Sequence, residues 1–193
     1  ASDGQPVITV STNTAVISSV ITGIQGFVKS GPGLLVLSAT NTYTGTTRIN
    51  NGTVYIADDA NLGLSGGGLA FGGGTLWITN SFILNNRSVA LNAAGGVLNI
   101  ESSSTLTITN PVTGGNSLTK NGQGSLVMGG SNVISSLNLN AGSITLTGSS
   151  TNTLTGNAIV NNSAMTVNGP VSLTTNYLVV ANVSVLGVNP NSP

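Results

Sequence analysis

The chain has no cysteine and no histidine, and only 4% of its 193 residues are charged. Each scarcity excludes something. Without cysteine, no disulfide staples the fold, and the redox compartment leaves no mark on the sequence. Four basic and four acidic side chains leave a formal net charge of zero, so no charge of one sign holds copies apart, a condition that favours association. Nucleic acid is an unsuitable partner, because a phosphate track needs clustered cations and Lys29, Arg48, Arg87 and Lys120 are scattered. The same sparseness argues against anionic membrane surfaces. No run of about 18 apolar residues occurs, so no membrane-spanning helix is expected. Aromatic residues make up only 4% of the chain, too few for the girdles of an outer-membrane barrel.

What remains is 39% hydrophobic residues set among Ser, Thr, Asn and 27 glycines. This is enough apolar material for one domain with a core. Strong helix formers such as Glu, Lys, Gln and Arg are rare, whereas Thr, Val, Ile, Asn and Gly abound. Short alternating runs recur, including Val7-Ile8-Thr9-Val10, Thr53-Val54-Tyr55-Ile56, Thr105-Leu106-Thr107-Ile108 and Ile144-Thr145-Leu146-Thr147. Their period of two puts apolar side chains on one face and hydroxyls on the other, the pattern of half-buried strands. Asn-Gly, Gly-Gly and Asn-Asn turns separate them.

The sequence also repeats itself. Residues 29–37 (KSGPGLLVL) align with residues 120–128 (KNGQGSLVM) at an offset of 91, and residues 49–56 (INNGTVYI) align with 139–146 (LNAGSITL) at an offset of 90. In each copy a strand ends, two glycines make a tight corner, and another strand follows. Gly31, Gly33, Asn50 and Gly52 are the predicted corners of the first copy, and Gly122, Gly124, Asn140 and Gly142 those of the second. Repeated corner–strand units are what a β-solenoid requires, since one coil cannot bury its apolar side alone but stacked coils share a core. The predicted fold is therefore all-β, a single-stranded right-handed parallel β-helix over residues 1–193. Its two related modules span about 21–63 and 112–146. The alternative is a pilin-like β-sandwich completed by a donor strand, although a sandwich has no reason to repeat in this way.

The segment Gly31-x-Gly33-x-Leu35-x-Leu37-Ser38-x-x-Asn41-Thr42-Tyr43-Thr44-Gly45-x-Thr47-x-Ile49-Asn50-x-Gly52-Thr53-Val54 resembles the autotransporter-associated β-strand repeat, also called the passenger-associated transport repeat. Asp58-Asp59-Ala60-Asn61-Leu62-Gly63 resembles the stretch that follows it. The match is partial over 120–146, where the Asn-Thr-Tyr-Thr-Gly portion is replaced by Asn132-Val133-Ile134-Ser135-Ser136. The resemblance implies a secreted or surface bacterial β-helix, and no particular task. A first residue of Ala rather than Met agrees with a mature, secreted product.

No chemical site is predicted: no catalytic residue, cofactor or metal. Asp58 and Asp59 are neighbours, so on a strand they would face opposite ways, and too few carboxylates exist to complete a calcium shell. Glu101 has no second acid near it in sequence to form a glycosidase pair. Lys29-Ser30 sits at a strand end before corner glycines, unlike a nucleophile pair. The triplets Gly66–Gly68 and Gly72–Gly74 lack the Gly-Lys-Ser/Thr of a phosphate loop. Trp77, within Leu76-Trp77-Ile78, is assigned to the core or its margin, and Tyr43 to a structural role.

A solenoid has two open ends that expose unpaired backbone and a slice of core. Segments 1–21 and 171–193 are the expected contact segments, through Val7, Ile8, Val10, Val16 and Ile17 at one end and Tyr177, Leu178, Val179, Val180, Val183, Val185 and Leu186 at the other. The expected function is that of an extracellular structural protein stacking head to tail into a filament with copies of itself. The alternative is a passenger segment of a larger autotransporter-type adhesin, with host or matrix glycans as possible partners.

Overall fold

The computed structural model describes residues 4–147, 151–161, 163–168, 171–173, 178–181 and 186–188. The chain winds as a β-solenoid with three walls. Wall A is a six-stranded sheet of Val7–Thr9, Phe27–Ser30, Thr47–Ile49, Leu69–Phe71, Val89–Leu91 and Val112–Thr113. It is continued by a separate three-stranded sheet of Val133–Ile134, Asn152–Leu154 and Val171–Leu173. Wall B has nine strands in sequence order: Thr14–Ile17, Leu34–Leu37, Thr53–Ile56, Thr75–Ile78, Gly96–Ile100, Leu118–Asn121, Leu137–Leu139, Ala158–Asn161 and Leu178–Ala181. Wall C stacks Phe82–Leu84, Thr105–Ile108, Ser125–Met128, Ser143–Thr147, Ala164–Asn168 and Leu186–Val188. In the third coil, the place of wall C is taken by a 3-10 turn, Asp59–Leu62.

Every strand pairing among the described residues is parallel. Parallel neighbours need a long crossover, and here the rest of each coil supplies it. The antiparallel sheets of a β-sandwich are thereby excluded. Coil length follows from the register: 19 residues separate Leu35 from its partner Val54, and 22 separate Val54 from Leu76. Parallel sheets usually need cover on both faces. The three walls cover one another's inner faces and leave most of the outer faces to water, which is why most strands alternate instead of being apolar throughout; on wall A, Phe27 to Lys29 and Leu69–Phe71 are buried on both faces. Thr105–Ile108 and Thr53–Ile56 each bury every second residue.

Inward side chains stack in columns. On wall B, Leu35, Val54, Leu76 and Leu98 lie in register, one per coil, and all are buried. On wall C, Leu106, Leu126, Ile144 and Met165 do the same. Each fully buried Leu or Ile contributes about 1.5–3 kcal/mol of transfer free energy, so the core grows in proportion to the number of coils.

The two copies of the sequence repeat occupy different corners. Lys29 ends a wall A strand and its glycines turn the chain into wall B, whereas Lys120 lies on wall B and its glycines lead into wall C. The 91-residue offset is thus four coils and one wall. The repeated unit is a corner, and the three-walled cross-section lets one corner design serve at successive positions. Asn50 and Asn140 play matching parts: each backbone N–H donates to the carbonyl of the corner lysine one coil earlier, Lys29 and Lys120, both at 3.0 Å.

Gly52 and Gly142 show why glycine is required there. Their φ values are +67° and +74°. A Cβ on Gly52 would lie 2.4 Å from the Gly31 carbonyl oxygen, and one on Gly142 would lie 2.2 Å from that of Gly124. Gly142→Ala combines left-handed strain with a displaced neighbouring coil, and is expected to destabilise by about 2 kcal/mol. A urea midpoint equal to that of the unaltered protein would contradict this account of the corner.

The described residues of the predicted contact segments lie in the first and last coils. Val7 and Val16 are exposed, Ile8 and Ile17 are half-buried, and Val10 is buried within the protein. Leu178, Val179 and Val180 lie in the last strand of wall B and Leu186 in the last strand of wall C. Tyr177, Val183 and Val185 lie outside the described residues.

Candidate functional surface

Three of the four cationic side chains are inside the solenoid. Lys29, Arg87 and Lys120 are all 0% exposed. Lys29 stands in an inward column of wall A between Ile8 and Ile49, and Lys120 stands in one of wall B between Leu98 and Leu139. Their stems replace core aliphatics, and their amines reach the corner. Lys29 Nζ donates to the carbonyls of Ser30, Gly31 and Asn51 at 2.9, 2.7 and 3.1 Å. Lys120 Nζ donates to those of Asn121, Gly122 and Ala141 at 3.0, 2.6 and 3.0 Å. In each case three ammonium donors meet three carbonyls, two from the lysine's own corner and one from the next coil. Burial pulls the pKa of both lysines down, that of Lys120 to about 8. Composition treats these residues as surface charge. The signal that could have placed them is the repeat itself, since a lysine precedes the glycine pair in both copies.

Arg87 ties down the 3-10 turn and the loop after it. Its Nε donates to Asp59 Oδ1, and its terminal nitrogens reach the carbonyls of Asp59, Leu62, Gly63, Leu64 and Gly67 at 2.7–3.2 Å. No pattern in the sequence marks this residue. Within the same region Tyr43 is buried, its hydroxyl 2.6 Å from Thr47 Oγ1 and its ring edge-on to Phe27 at 5.6 Å. Burial pushes its pKa up to about 12.

The carboxylates are held separately. Asp58 caps the 3-10 turn, accepting from the Ala60 N–H at 2.9 Å. Asp59 pairs with Arg87. Glu101 Oε1 accepts the indole N–H of Trp77 at 2.7 Å. The described residues contain no group of three metal-ligating side chains. The Lys29 ammonium and the Ser30 hydroxyl do not pair: the ammonium is spent on carbonyls, that of Ser30 among them, and Ser30 Oγ lies 3.0 Å from Thr9 Oγ1.

Trp77 corrects its expected place. Leu76 and Ile78 point inward and are buried, so the period of two turns the indole outward, where it is half-buried on the outer face of wall B. It lies in register with Tyr55 of the preceding coil, the rings 5.4 Å apart at 74°. Phe27, Tyr43 and Phe71 are buried, and Phe82 packs against the core. Tyr55 and Trp77 are thus the outward aromatics among the described residues. Beyond Trp77 the same column continues with Asn99 and then Asn121. An aromatic pair, a carboxylate and two amides stand together on one flat wall. The arrangement suits adsorption of a ligand, and no described group beside it is placed as a nucleophile or a paired acid.

Comparison with known proteins bears on this solenoid in two places. Residues 27–56 match the family model described as Passenger-associated-transport-repeat. Over 100 residues, 52% of this chain, the sequence is 41% identical to a protein of Brucella suis biovar 1 (strain 1330) named Adhesin BmaC autotransporter. That stretch is 3% of the length of the adhesin. No solved structure matches.

Proposed function

From a chain that carries a passenger-associated transport repeat, we propose a passenger segment of a larger autotransporter-type adhesin, secreted or displayed at the cell surface and mediating attachment. The observation that carries this reading is the 41% identity to a protein named as an adhesin, on a chain whose corner repeat builds a parallel solenoid. The solenoid is a non-enzymatic scaffold: its inside is filled and its outside is a set of flat walls. Surfaces coated with the purified chain are expected to retain host cells or extracellular matrix above the level of an unrelated β-solenoid. Equal retention on both surfaces would remove the adhesive role.

Head-to-tail stacking of copies is the second reading. It is favoured by the first coil, whose strands Val7–Thr9 and Thr14–Ile17 have no earlier partner among the described residues. A clean monomer in dilute solution would dismiss it.

A further inference from the structure

We propose that the outer face of wall B is a binding track for a neutral, linear polysaccharide, seated on Tyr55 and Trp77 and hydrogen-bonded by Glu101, Asn99 and Asn121. This inference rests on the adhesive reading and names the ligand class of its surface.

The first support is geometric. Tyr55, Trp77, Asn99 and Asn121 occupy one register position on four consecutive coils. Neighbouring strands are about 4.8 Å apart, so the column runs roughly 14 Å along the solenoid axis. An extended polymer lying along that axis meets a new side chain at every coil. The second support is chemical. A sugar ring offers an apolar C–H face to an aromatic ring and hydroxyls around its rim. Tyr55 and Trp77 supply the aromatic surface. Glu101 is fixed against the indole through Oε1, which leaves Oε2 to accept a hydroxyl. Asn99 makes no side-chain hydrogen bond among the described residues, and its amide both donates and accepts.

Charge decides between occupants. The formal charge on this track is the carboxylate of Glu101: Lys120 lies on the same wall but faces inward and is buried, Lys29 and Arg87 are buried, and Arg48 stands on wall A. A polyanion, whether an acidic glycan or a nucleic acid, would find repulsion and no cation to neutralise it. A protein partner generally needs about 1,000 Å² of complementary interface. Here two half-buried rings have only Thr53 and Thr75 beside them in the adjacent column, between Leu34 and Val97, a strip narrower than such an interface.

Trp77 is the chain's single tryptophan, so intrinsic fluorescence reports on the site alone. The 193-residue protein would be titrated with cellohexaose, chitohexaose and mannohexaose, with heparin as the polyanion. The expected result is a saturable shift of the Trp77 emission with at least one neutral hexasaccharide, insensitive to added salt, and no response to heparin. In calorimetry Tyr55→Ala should weaken that binding about tenfold while the protein stays folded, its thermal melt lowered only slightly by loss of the ring contact with Trp77. Absence of any shift up to millimolar sugar, a heparin response abolished by salt, or full affinity in a folded Tyr55→Ala protein would each overturn the track. Cell retention that persists in Trp77→Ala would also overturn it and leave the adhesive reading standing. Sugar binding without any cell or matrix retention would uphold the track and remove the adhesive reading.

Discussion

Arg87→Ala is expected to destabilise the solenoid by about 3–5 kcal/mol, the range for removing one partner of a buried ion pair. The substitution leaves the Asp59 carboxylate, 16% exposed, without its counter-charge. It also strips donors from the carbonyls of Leu62, Gly63, Leu64 and Gly67. Leu64 keeps the Gly67 N–H at 3.1 Å, but the carbonyls of Leu62, Gly63 and Gly67 have no donor within the loop, because the 3-10 turn ends at Leu62 and the chain then passes through Gly63 at φ +82°. Arg87→Lys should recover little. A guanidinium presents five donors in a plane, whereas an ammonium presents three around one point. The damage should also be local at first, since a solenoid's coils interact mainly with their neighbours. Limited proteolysis is therefore expected to cut between residues 59 and 67 before the remaining coils melt. A urea midpoint within error of the unaltered protein would contradict this role.

Lys120 gives the second large effect, with a pH signature of its own. Lys120→Ala removes a stem packed between Leu98 and Leu139 and orphans three carbonyls. A loss of about 3 kcal/mol is expected. Lys120→Met restores the stem and should recover about half of it. Burial has lowered the lysine pKa to about 8 in the folded protein, against about 10.4 in the unfolded chain. Below pH 8 both states carry the proton and stability is flat with respect to this group. Between pH 8 and about 10.4 the unfolded chain binds the proton and the folded protein does not, so stability rises with pH. Lys29 acts in the same direction. Tyr43 acts oppositely: its pKa is raised to about 12, so above about pH 10 the folded state is the one that keeps the proton and stability falls. The protein should therefore be most stable near pH 10. Lys120→Met should flatten the rise and Tyr43→Phe the fall. Melting curves from pH 7 to 11.5 that decline throughout would refute this assignment.

The sequence alone determined the solenoid. Alternating apolar and hydroxyl residues set which side of each strand faces in, and corners at Gly31, Gly52, Gly122 and Gly142 set where it turns. Both are local properties, written within a few neighbouring residues, and a passenger-repeat resemblance followed from the same letters. What only the tertiary structure decided is which side chains meet across coils. Leu76-Trp77-Ile78 is an uninterrupted apolar triplet. Register with Val54 and Leu98, one coil away on either side, is what turns Leu76 inward and leaves Trp77 beside Tyr55 and Glu101. A slip of one residue would have exchanged these faces. Lys29 and Lys120 look like surface charges until the next coil brings a third carbonyl over each amine. Arg87 finds its acceptors 20 to 28 residues back along the chain. Such partners lie one coil away, a separation of about twenty residues that no local pattern encodes, so the candidate surface and the buried cations emerge only when the coils are stacked.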